Sequence, residues 1–164
     1  MADESANELI EFDTSEELRE IALKIVQNCV RSLDIVSRHL DPAIYDHEQF
    51  VDAVKQIALN SQHARVRILV TDIGPVVSRG HRLLELNSRL STYISIRKPG
   101  RDHKNFNEAI LVADNRGYIH RRFADRYEGR ASYDDQRTAR DLTVRFEEIW
   151  ERADTDPNFR RLHL

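Results

Sequence analysis

The sequence is poor in glycine, cysteine and long apolar runs. Only five glycines occur among 164 residues, so the phosphate-binding loops that nucleotide and coenzyme A cofactors need cannot be built. The single cysteine, Cys29, excludes an internal disulfide and a cysteine-rich zinc site. No stretch approaches the roughly eighteen apolar residues of a membrane span. The sequence therefore predicts no cofactor and no membrane contact, and a cytoplasmic location follows as the default expectation.

Histidines are present without the spacing of a metal site. Four of the seven are scattered along the first half of the chain without i, i+4 partners, so no metal site is predicted. These four are His39, His47, His63 and His81. A Gly-x-Ser-x-Gly elbow is absent, which argues against a serine hydrolase.

Length and composition are those of one globular domain. Apolar residues make up 40% and charged residues 32% of the chain, which suffices for a single core. The first twenty residues carry eight acids against one arginine. We therefore predict a flexible acidic N-terminus at residues 1–13 and one domain at residues 14–164.

Helix-start signals recur along the chain. Three residue pairs have the spacing of N-terminal caps, and they are Thr14 with Glu17, Asp46 with Gln49, and Ser132 with Asp135. Gly74-Pro75 predicts the start of a further helix. Cys29 lies in the apolar stripe of the first helix, which predicts that it is buried.

Five apolar stretches between these helices predict strands. They cover residues 33–38, 66–71, 92–97, 108–113 and 118–122. The last two predict a hairpin, in which Gly117 is expected near the turn, where positive φ is needed. Strands that alternate with helices predict an α/β fold, with a mixed β-sheet and helices on both faces.

The hairpin begins with an altered catalytic motif. Residues 107–114 read Asn-Glu-Ala-Ile-Leu-Val-Ala-Asp. They resemble the catalytic strand of a phospholipase D-type domain, whose signature is His-x-Lys-x-x-x-x-Asp. Asp114 fits the last position, whereas Asn107 and Ala109 stand in place of the nucleophilic histidine and the phosphate-neutralising lysine. Because an amide cannot attack phosphorus and a methyl group carries no charge, the resemblance implies the fold without its chemistry.

A second departure follows the motif. The family usually has Gly-Ser-x-Asn there, whose small residues leave space for phosphate, but residues 119–125 read Ile-His-Arg-Arg-Phe-Ala-Asp. Bulky cations are therefore expected in the former pocket. Family members use two such halves, so the resemblance, which covers roughly residues 30–152, implies a homodimer. The region also resembles a bacterial domain that follows N-acyltransferase domains, which implies an acyltransferase as a candidate partner.

Positive charge is concentrated around the motif. Between residues 97 and 130, nine Arg or Lys stand against five Asp or Glu. Clustered cations bind phosphate groups and nucleic acid, and Tyr118 or Phe123 could stack a base. Alternatively, these cations pair with the chain's own carboxylates, or the acidic N-terminus of a second subunit covers them. The predicted ligand-binding residues are Asp72, Asn107, Arg116, His120, Arg121 and Arg122, with Arg97, Lys98, Arg101 and Lys104 as further basic candidates.

The sequence leaves three functions open. The first is a non-catalytic module that binds phosphate-containing ligands or nucleic acid. The second is a phosphodiesterase or nuclease in which His103 or His120, with Asp114, replaces the lost motif. The third is a structural partner of an acyltransferase. For Asp72 a structural alternative is equally good, because this side chain could accept the backbone N–H groups of the turn that follows it.

Overall fold

The computed structural model describes residues 8–159, in which a seven-stranded mixed sheet lies between helices on both faces. The strands are β1 (Ile10–Phe12), β2 (Ser32–Ser37), β3 (Arg65–Val70), β4 (Ile94–Arg97), β5 (Ala109–Ala113), β6 (Gly117–Arg121) and β7 (Gly129–Ser132). The helices are α1 (Ser15–Gln27), α2 (Pro42–Tyr45), α3 (Glu48–Asn60), α4 (Gly74–Arg79), α5 (Arg82–Arg89) and α6 (Gln136–Glu151), with 3-10 turns at Arg101–His103 and Pro157–Phe159. The prediction of an α/β fold is confirmed.

The strand order places the motif strand in the centre of the sheet. The order is β1-β7-β6-β5-β2-β3-β4. Strands β2, β3 and β4 are parallel, whereas β5 runs antiparallel to β2 and begins the antiparallel half with β6, β7 and β1. The amino end of β5 therefore lies beside the carboxyl ends of β2 and β3.

Two apolar layers cover the two faces of the sheet. One face packs against α1, α2, α3 and α5. The other face packs against α6, whose predicted stripe is fully buried and consists of Ala139, Leu142, Phe146, Ile149 and Trp150. No helix within residues 8–159 is long and apolar enough to cross a membrane.

The first helix has the predicted start. The Thr14 hydroxyl accepts the Glu17 N–H at 3.2 Å, so Thr14 caps the helix as predicted, and it donates to the Glu17 carboxylate at 2.9 Å. Cys29 is buried as predicted, and this burial raises the pKa of its thiol. Its environment is therefore that of a small apolar side chain rather than a reactive thiol.

The N-terminal prediction needs a correction. Residues 1–7 of the predicted flexible stretch lie outside the described residues. Ile10–Phe12, however, form strand β1, which pairs antiparallel with β7 at the edge of the sheet. The prediction of flexible chain is therefore wrong for these three residues. Strands β1 and β7 have only three and four residues, which is too short to show a clear alternation in the sequence.

Two predicted helix caps are replaced by neighbouring side chains. The imidazole of His47, rather than Asp46, caps α3 by accepting the Phe50 N–H at 3.4 Å. Asp135 caps α6 by accepting the Thr138 N–H at 3.1 Å, and Ser132, the predicted cap, belongs to β7 instead. Each helix therefore begins within a few residues of the predicted position.

The hairpin turn also differs from the prediction. Positive φ angles occur at Asp114 (55°) and Asn115 (53°) rather than at Gly117. The Arg116 N–H donates to the Ala113 carbonyl at 3.0 Å, and residues 114–116 connect Ala113 to its partner Gly117. Asp and Asn tolerate this left-handed conformation better than other non-glycine residues, so the turn does not need a glycine.

The helix predicted after Gly74-Pro75 is two helices, separated at Gly80, whose φ is 76°. His81 caps the second of them, because its Nδ1 accepts the Leu83 N–H at 3.1 Å. Its Nε2 lies 3.0 Å from the Leu40 carbonyl, which fixes the proton on Nε2. The imidazole is 3% exposed, and this burial lowers the pKa of His81.

We expect acid to destabilise the protein through His81. A group whose pKa is lower in the folded state contributes its full stability above its unfolded pKa of about 6.5. That contribution is lost as pH falls from there towards the folded pKa, by at most about 1.4 kcal/mol per pH unit. Urea unfolding at several pH values between neutral and mildly acidic conditions measures the loss. The His81→Asn variant keeps a cap without a titrating group, so its pH dependence should be shallower; equal slopes would contradict this assignment.

Candidate functional site

The motif residues lie at opposite ends of β5. Asn107 is exposed just before the strand, and its backbone carbonyl accepts the Ala124 N–H at 2.7 Å. Ala109 is 2% exposed at the first position of the strand. Asp114 follows the last position, so the length of a five-residue strand, roughly 17 Å, separates Ala109 from Asp114.

Asp114 has a structural environment. Its Oδ1 accepts the N–H groups of Arg31 and Ser32 at 2.8 and 3.0 Å. Its Oδ2 accepts the Val30 N–H at 2.8 Å. The carboxylate thus holds the connection between α1 and β2, and it lies away from the amino end of β5, where Asn107 and Ala109 are.

The side chain of Arg121 lies beside Ala109. These two residues pair between β6 and β5, so their side chains share one face of the sheet. The Arg121 side chain is 2% exposed, and its Nε and one terminal nitrogen donate to the carbonyls of Arg126 and Ala124 at 2.8 and 2.9 Å. The Asp41 carboxylate lies 3.6 Å away. Arg121 is therefore enclosed by its own chain, and its position does not support the ligand-binding role predicted for it.

His120 belongs to the opposite face of the sheet. It pairs with Ile110, whose side chain packs against α6. Its Nε2 lies 2.7 Å from Glu108, and the guanidinium of Arg145 on α6 binds the other carboxylate oxygen. Burial by itself would raise the pKa of Glu108, but the hydrogen bonds from His120 and Arg145 outweigh it and lower the pKa.

An open cleft of about 710 Å³ lies at the β1 edge of the sheet, and we call it the edge cleft. It is lined by Glu11, Phe12, Asp13, His120, Arg122, Phe123, Glu128, Gly129 and Arg130. Arg130 lies 3.9 Å from Glu11 across the β1–β7 pair, and both side chains are largely exposed. Within residues 8–159, Arg122 has no carboxylate partner. The cleft therefore combines available cations with several carboxylates.

The loop between β6 and β7, residues 122–128, presents two aromatic rings to solvent. Phe123 is 42% and Tyr127 is 41% exposed. The guanidinium groups of Arg122 and Arg126 lie 5.9 and 5.1 Å from the centre of the Phe123 ring. We call Arg122, Phe123 and Arg126 the arginine–phenylalanine cluster. An exposed ring with two cations close to it is suited to a planar anionic ligand, because the ring can stack and the cations can bind phosphate.

The other basic candidates do not join this cluster. Arg97 belongs to β4, at the opposite edge of the sheet, and its guanidinium lies 4.2 Å from the centre of the Trp150 ring. Arg116 lies at the β5–β6 turn, 3.5 Å from Asp134. Lys98 pairs with Asp156 at 3.9 Å, and Arg101 and Lys104 belong to the loop before β5. The predicted basic residues therefore lie in three separate regions of the structure. Among these candidates, Arg122 alone lines the edge cleft.

Asp72 and His103 are separate from the edge cleft. Asp72 accepts the Gly74 N–H at 3.3 Å and contacts His39 at 3.0 Å, so the turn-capping alternative describes its geometry. His103 ends a 3-10 turn, and its buried Nδ1 has no hydrogen-bond partner among the described residues. No three His, Cys, Asp or Glu side chains within residues 8–159 are arranged to hold a metal ion.

Sequence reasoning missed several residues at the edge cleft. Glu108, which contacts the cleft residue His120, could have been found, because the three-residue connection 114–116 pairs His120 with Ile110 and puts Glu108 on the same face. Phe12 and Arg130 belong to the two short strands that the pattern did not reveal. Because those strands were not predicted, nothing in the sequence indicated that the N-terminal strand lies next to residues 120–130.

The architecture is a phospholipase D-like fold, as comparison with solved structures shows. Nuc from Salmonella typhimurium, a phospholipase D family member, has a TM-score of 0.63 and 11% identity, and the match covers 89% of this chain and 95% of Nuc. NucT from Helicobacter pylori has a TM-score of 0.62 and 14% identity, with coverages of 91% and 99%. At such identities the likeness establishes the fold alone.

A third similar structure is that of TrmBL2, an archaeal chromatin protein described as showing a novel mode of DNA binding. It has a TM-score of 0.67 and 11% identity, and the match covers 94% of this chain but only 57% of TrmBL2. By sequence, the chain belongs to the family described as Domain of unknown function (DUF7931), whose profile matches residues 14–162. No curated protein matches it.

Proposed function

We propose that this chain is a non-catalytic phospholipase D-like module that binds nucleic acid through the arginine–phenylalanine cluster. The observation that carries the proposal is the exposed Phe123 ring with two guanidinium groups close to it. Arg122 is free of carboxylates among the described residues, and Arg126 has only an exposed partner, Glu128, at 3.5 Å. Such exposed pairs contribute little, so phosphate can displace Glu128 at small cost.

The loss of catalysis is supported by the chemistry beside β5. Asn107 and Ala109 supply neither a nucleophile nor a cation. The buried Arg121 side chain lies beside Ala109 and is bound to two backbone carbonyls, so the phosphate space implied by the family resemblance is filled. The similar structure of TrmBL2, an archaeal chromatin protein with a novel mode of DNA binding, supports nucleic acid as the ligand class.

Replacing Arg122 and Arg126 with alanine together should weaken nucleic-acid binding at least tenfold. Each lost phosphate contact to a single strand should also make the slope of log affinity against log salt less steep by about 0.7, so the double variant should lose about 1.4. Fluorescence anisotropy of a labelled twelve-nucleotide strand, titrated at about 50 and 200 mM salt, measures both quantities.

The matched control is Arg137→Ala with Arg140→Ala, because both arginines are exposed on α6 and the net charge changes equally. This control should keep most of the affinity. Equal losses in the two double variants would mean that general charge attracts the nucleic acid, and no binding at low salt would contradict the proposal.

One observation favours a second candidate, a phosphodiesterase that uses His120. The Nε2 of His120 lies 2.7 Å from Glu108, and the histidine lines the edge cleft, as a general base with an orienting carboxylate would. It lies, however, on the opposite face of the sheet from Ala109. Hydrolysis of a chromogenic phosphodiester, with and without divalent metal, tests this candidate. Turnover that His120→Ala abolishes would favour it over the binding module.

A homodimer, a bacterial source and a cytoplasmic location remain parts of the proposal that rest on the family resemblance and on composition. Light scattering at tens of micromolar should give the mass of two chains, and the mass of one chain would contradict the dimer. The acyltransferase partner rests on the resemblance alone.

A further inference from the structure

Resting on the proposed nucleic-acid binding, we infer that the edge cleft accepts one unpaired base that carries an exocyclic amino group. The ligand class is therefore single-stranded nucleic acid, with cytosine, adenine or guanine at the bound position. The base enters the cleft, and its flanking phosphates stay outside it, at Arg122 and Arg126.

The size and aromatic lining of the cleft suit a base. Its volume of about 710 Å³ lies within the usual range of small-molecule sites, roughly 300 to 1,000 Å³. Phe12 forms part of its wall and is 4% exposed, whereas Phe123 is 42% exposed. Phe123 therefore provides the exposed aromatic side chain of the cleft, and a base that contacts its ring has its neighbouring phosphates next to two arginines.

The charges in the cleft favour a base over a phosphate. Glu11, Asp13 and Glu128 line it together with only two arginines, Arg122 and Arg130. Arg130 is already 3.9 Å from Glu11. A phosphate inside the cleft would meet three carboxylates, whereas the amino group of a base can donate a hydrogen bond to one of them. Thymine and uracil have no amino group, so they lack this contact.

A base within a duplex cannot make the same contacts in the edge cleft. Both faces of each internal base are stacked in a duplex, and the amino groups already take part in base pairs. A protein that takes a base out of a duplex must supply the unstacking and unpairing energy, which a single strand does not require. An open, exposed cleft with one exposed ring offers little to offset that cost. Duplex binding should therefore use the arginines alone.

The inference is tested by measuring the affinity of the full chain for three labelled probes of equal length. The probes are oligo(dC), oligo(dT) and a mixed-sequence duplex, titrated at slightly alkaline pH and fixed low salt. We expect oligo(dC) to bind about fivefold or more tighter than oligo(dT), as one good contact to a base provides. Replacing Glu11, Asp13 and Glu128 together with alanine should remove this preference, whereas replacing Asp141, Glu148 and Glu151, three exposed acids on α6, should keep it.

A Phe123→Leu change separates stacking from phosphate contacts. It should weaken binding of oligo(dC) about tenfold and leave duplex binding unchanged, since a duplex does not stack on the ring. Equal affinity for all three probes, lost on removal of Arg122 and Arg126, would overturn this inference and leave the proposed function standing. Absence of binding to every probe would overturn both. Tighter binding of oligo(dT) than of oligo(dC) would overturn the inference that the carboxylates of the cleft accept a hydrogen bond from the amino group of the base.

Discussion

Replacing Arg121 with methionine is expected to lower the free energy of unfolding by about 3 kcal/mol, whereas the same change at Arg122 should alter it by less than about 0.5 kcal/mol. The two arginines are adjacent in the sequence and have the same chemistry. Their surroundings differ completely, because the Arg121 side chain is 2% exposed and Arg122 lies on the surface.

The expected cost at Arg121 comes from the groups that it leaves behind. The carbonyls of Ala124 and Arg126 would each lose a donor, and Asp41 would lose its nearby cation. An unsatisfied buried acceptor costs roughly 1 to 3 kcal/mol. Asp41 is 26% exposed, so water partly compensates there and the total stays moderate. Methionine keeps most of the buried apolar volume, which separates the loss of polar contacts from the loss of packing.

Urea unfolding and nucleic-acid titration of the two variants should give opposite results. Arg121→Met should lose stability and, below its unfolding transition, keep its affinity for a single strand. Arg122→Met should keep stability and lose affinity. If Arg121→Met proved as stable as the wild type, the guanidinium would not have the enclosed role described above.

Replacing Asp114 with alanine should also destabilise the fold strongly, by about 3 kcal/mol. Its carboxylate accepts three backbone N–H groups, from Val30, Arg31 and Ser32. Hydrogen bonds to a charged acceptor contribute roughly 1.5 to 3 kcal/mol each, but water can replace part of them at this half-buried site. Alanine also tolerates the φ of 55° less well than aspartate does.

Differential scanning calorimetry or denaturant unfolding measures this effect, and Asp125→Ala is the matched control, since Asp125 is exposed in the β6–β7 loop. The control should unfold like the wild type. A neutral Asp114→Ala variant would mean that the three backbone bonds contribute nothing. Such a result would reopen a functional role for this last motif residue.

Much of the fold could be predicted because long elements carry their own signals. The helix cap at Thr14 and the apolar runs of β2, β3 and β5 give elements close to those observed. The edge strands could not be predicted, because three or four residues show no reliable period and their pairing joins residues about 120 positions apart. The His47 and His81 caps were missed because histidine is an uncommon cap.

The site was only partly predictable, and the reason is visible at residues 120–122. A strand turns alternate side chains to opposite faces, so His120 lies on one face and Arg121 on the other. The alternation alone gives these directions, but it does not show that a loop closes over Arg121 while leaving Arg122 exposed. Tertiary contacts therefore decide whether an arginine is enclosed by its own chain or free to bind a ligand. For Arg121 these are the contacts to Asp41 and to the loop carbonyls.

A buried ion network shows the same limitation. Arg67 donates to both oxygens of Asp34 at 2.8 and 3.0 Å and to Glu147 at 2.8 Å. Its guanidinium lies 4.8 Å from the centre of the Phe146 ring. The β2–β3 register places Asp34 opposite Arg67, and the contact with α6 depends on how the helix packs, so the sequence analysis predicted neither contact.

Binding without cleavage is tested most directly by incubating an end-labelled oligo(dC) strand with saturating protein and examining both the complex and the strand, with and without divalent metal. We expect a retarded complex from which the strand is recovered intact, and the loss of this complex on Arg122→Ala with Arg126→Ala. Recovery of shortened fragments that disappear with His120→Ala would contradict this expectation, because the fold would then have kept phosphodiester cleavage with other residues.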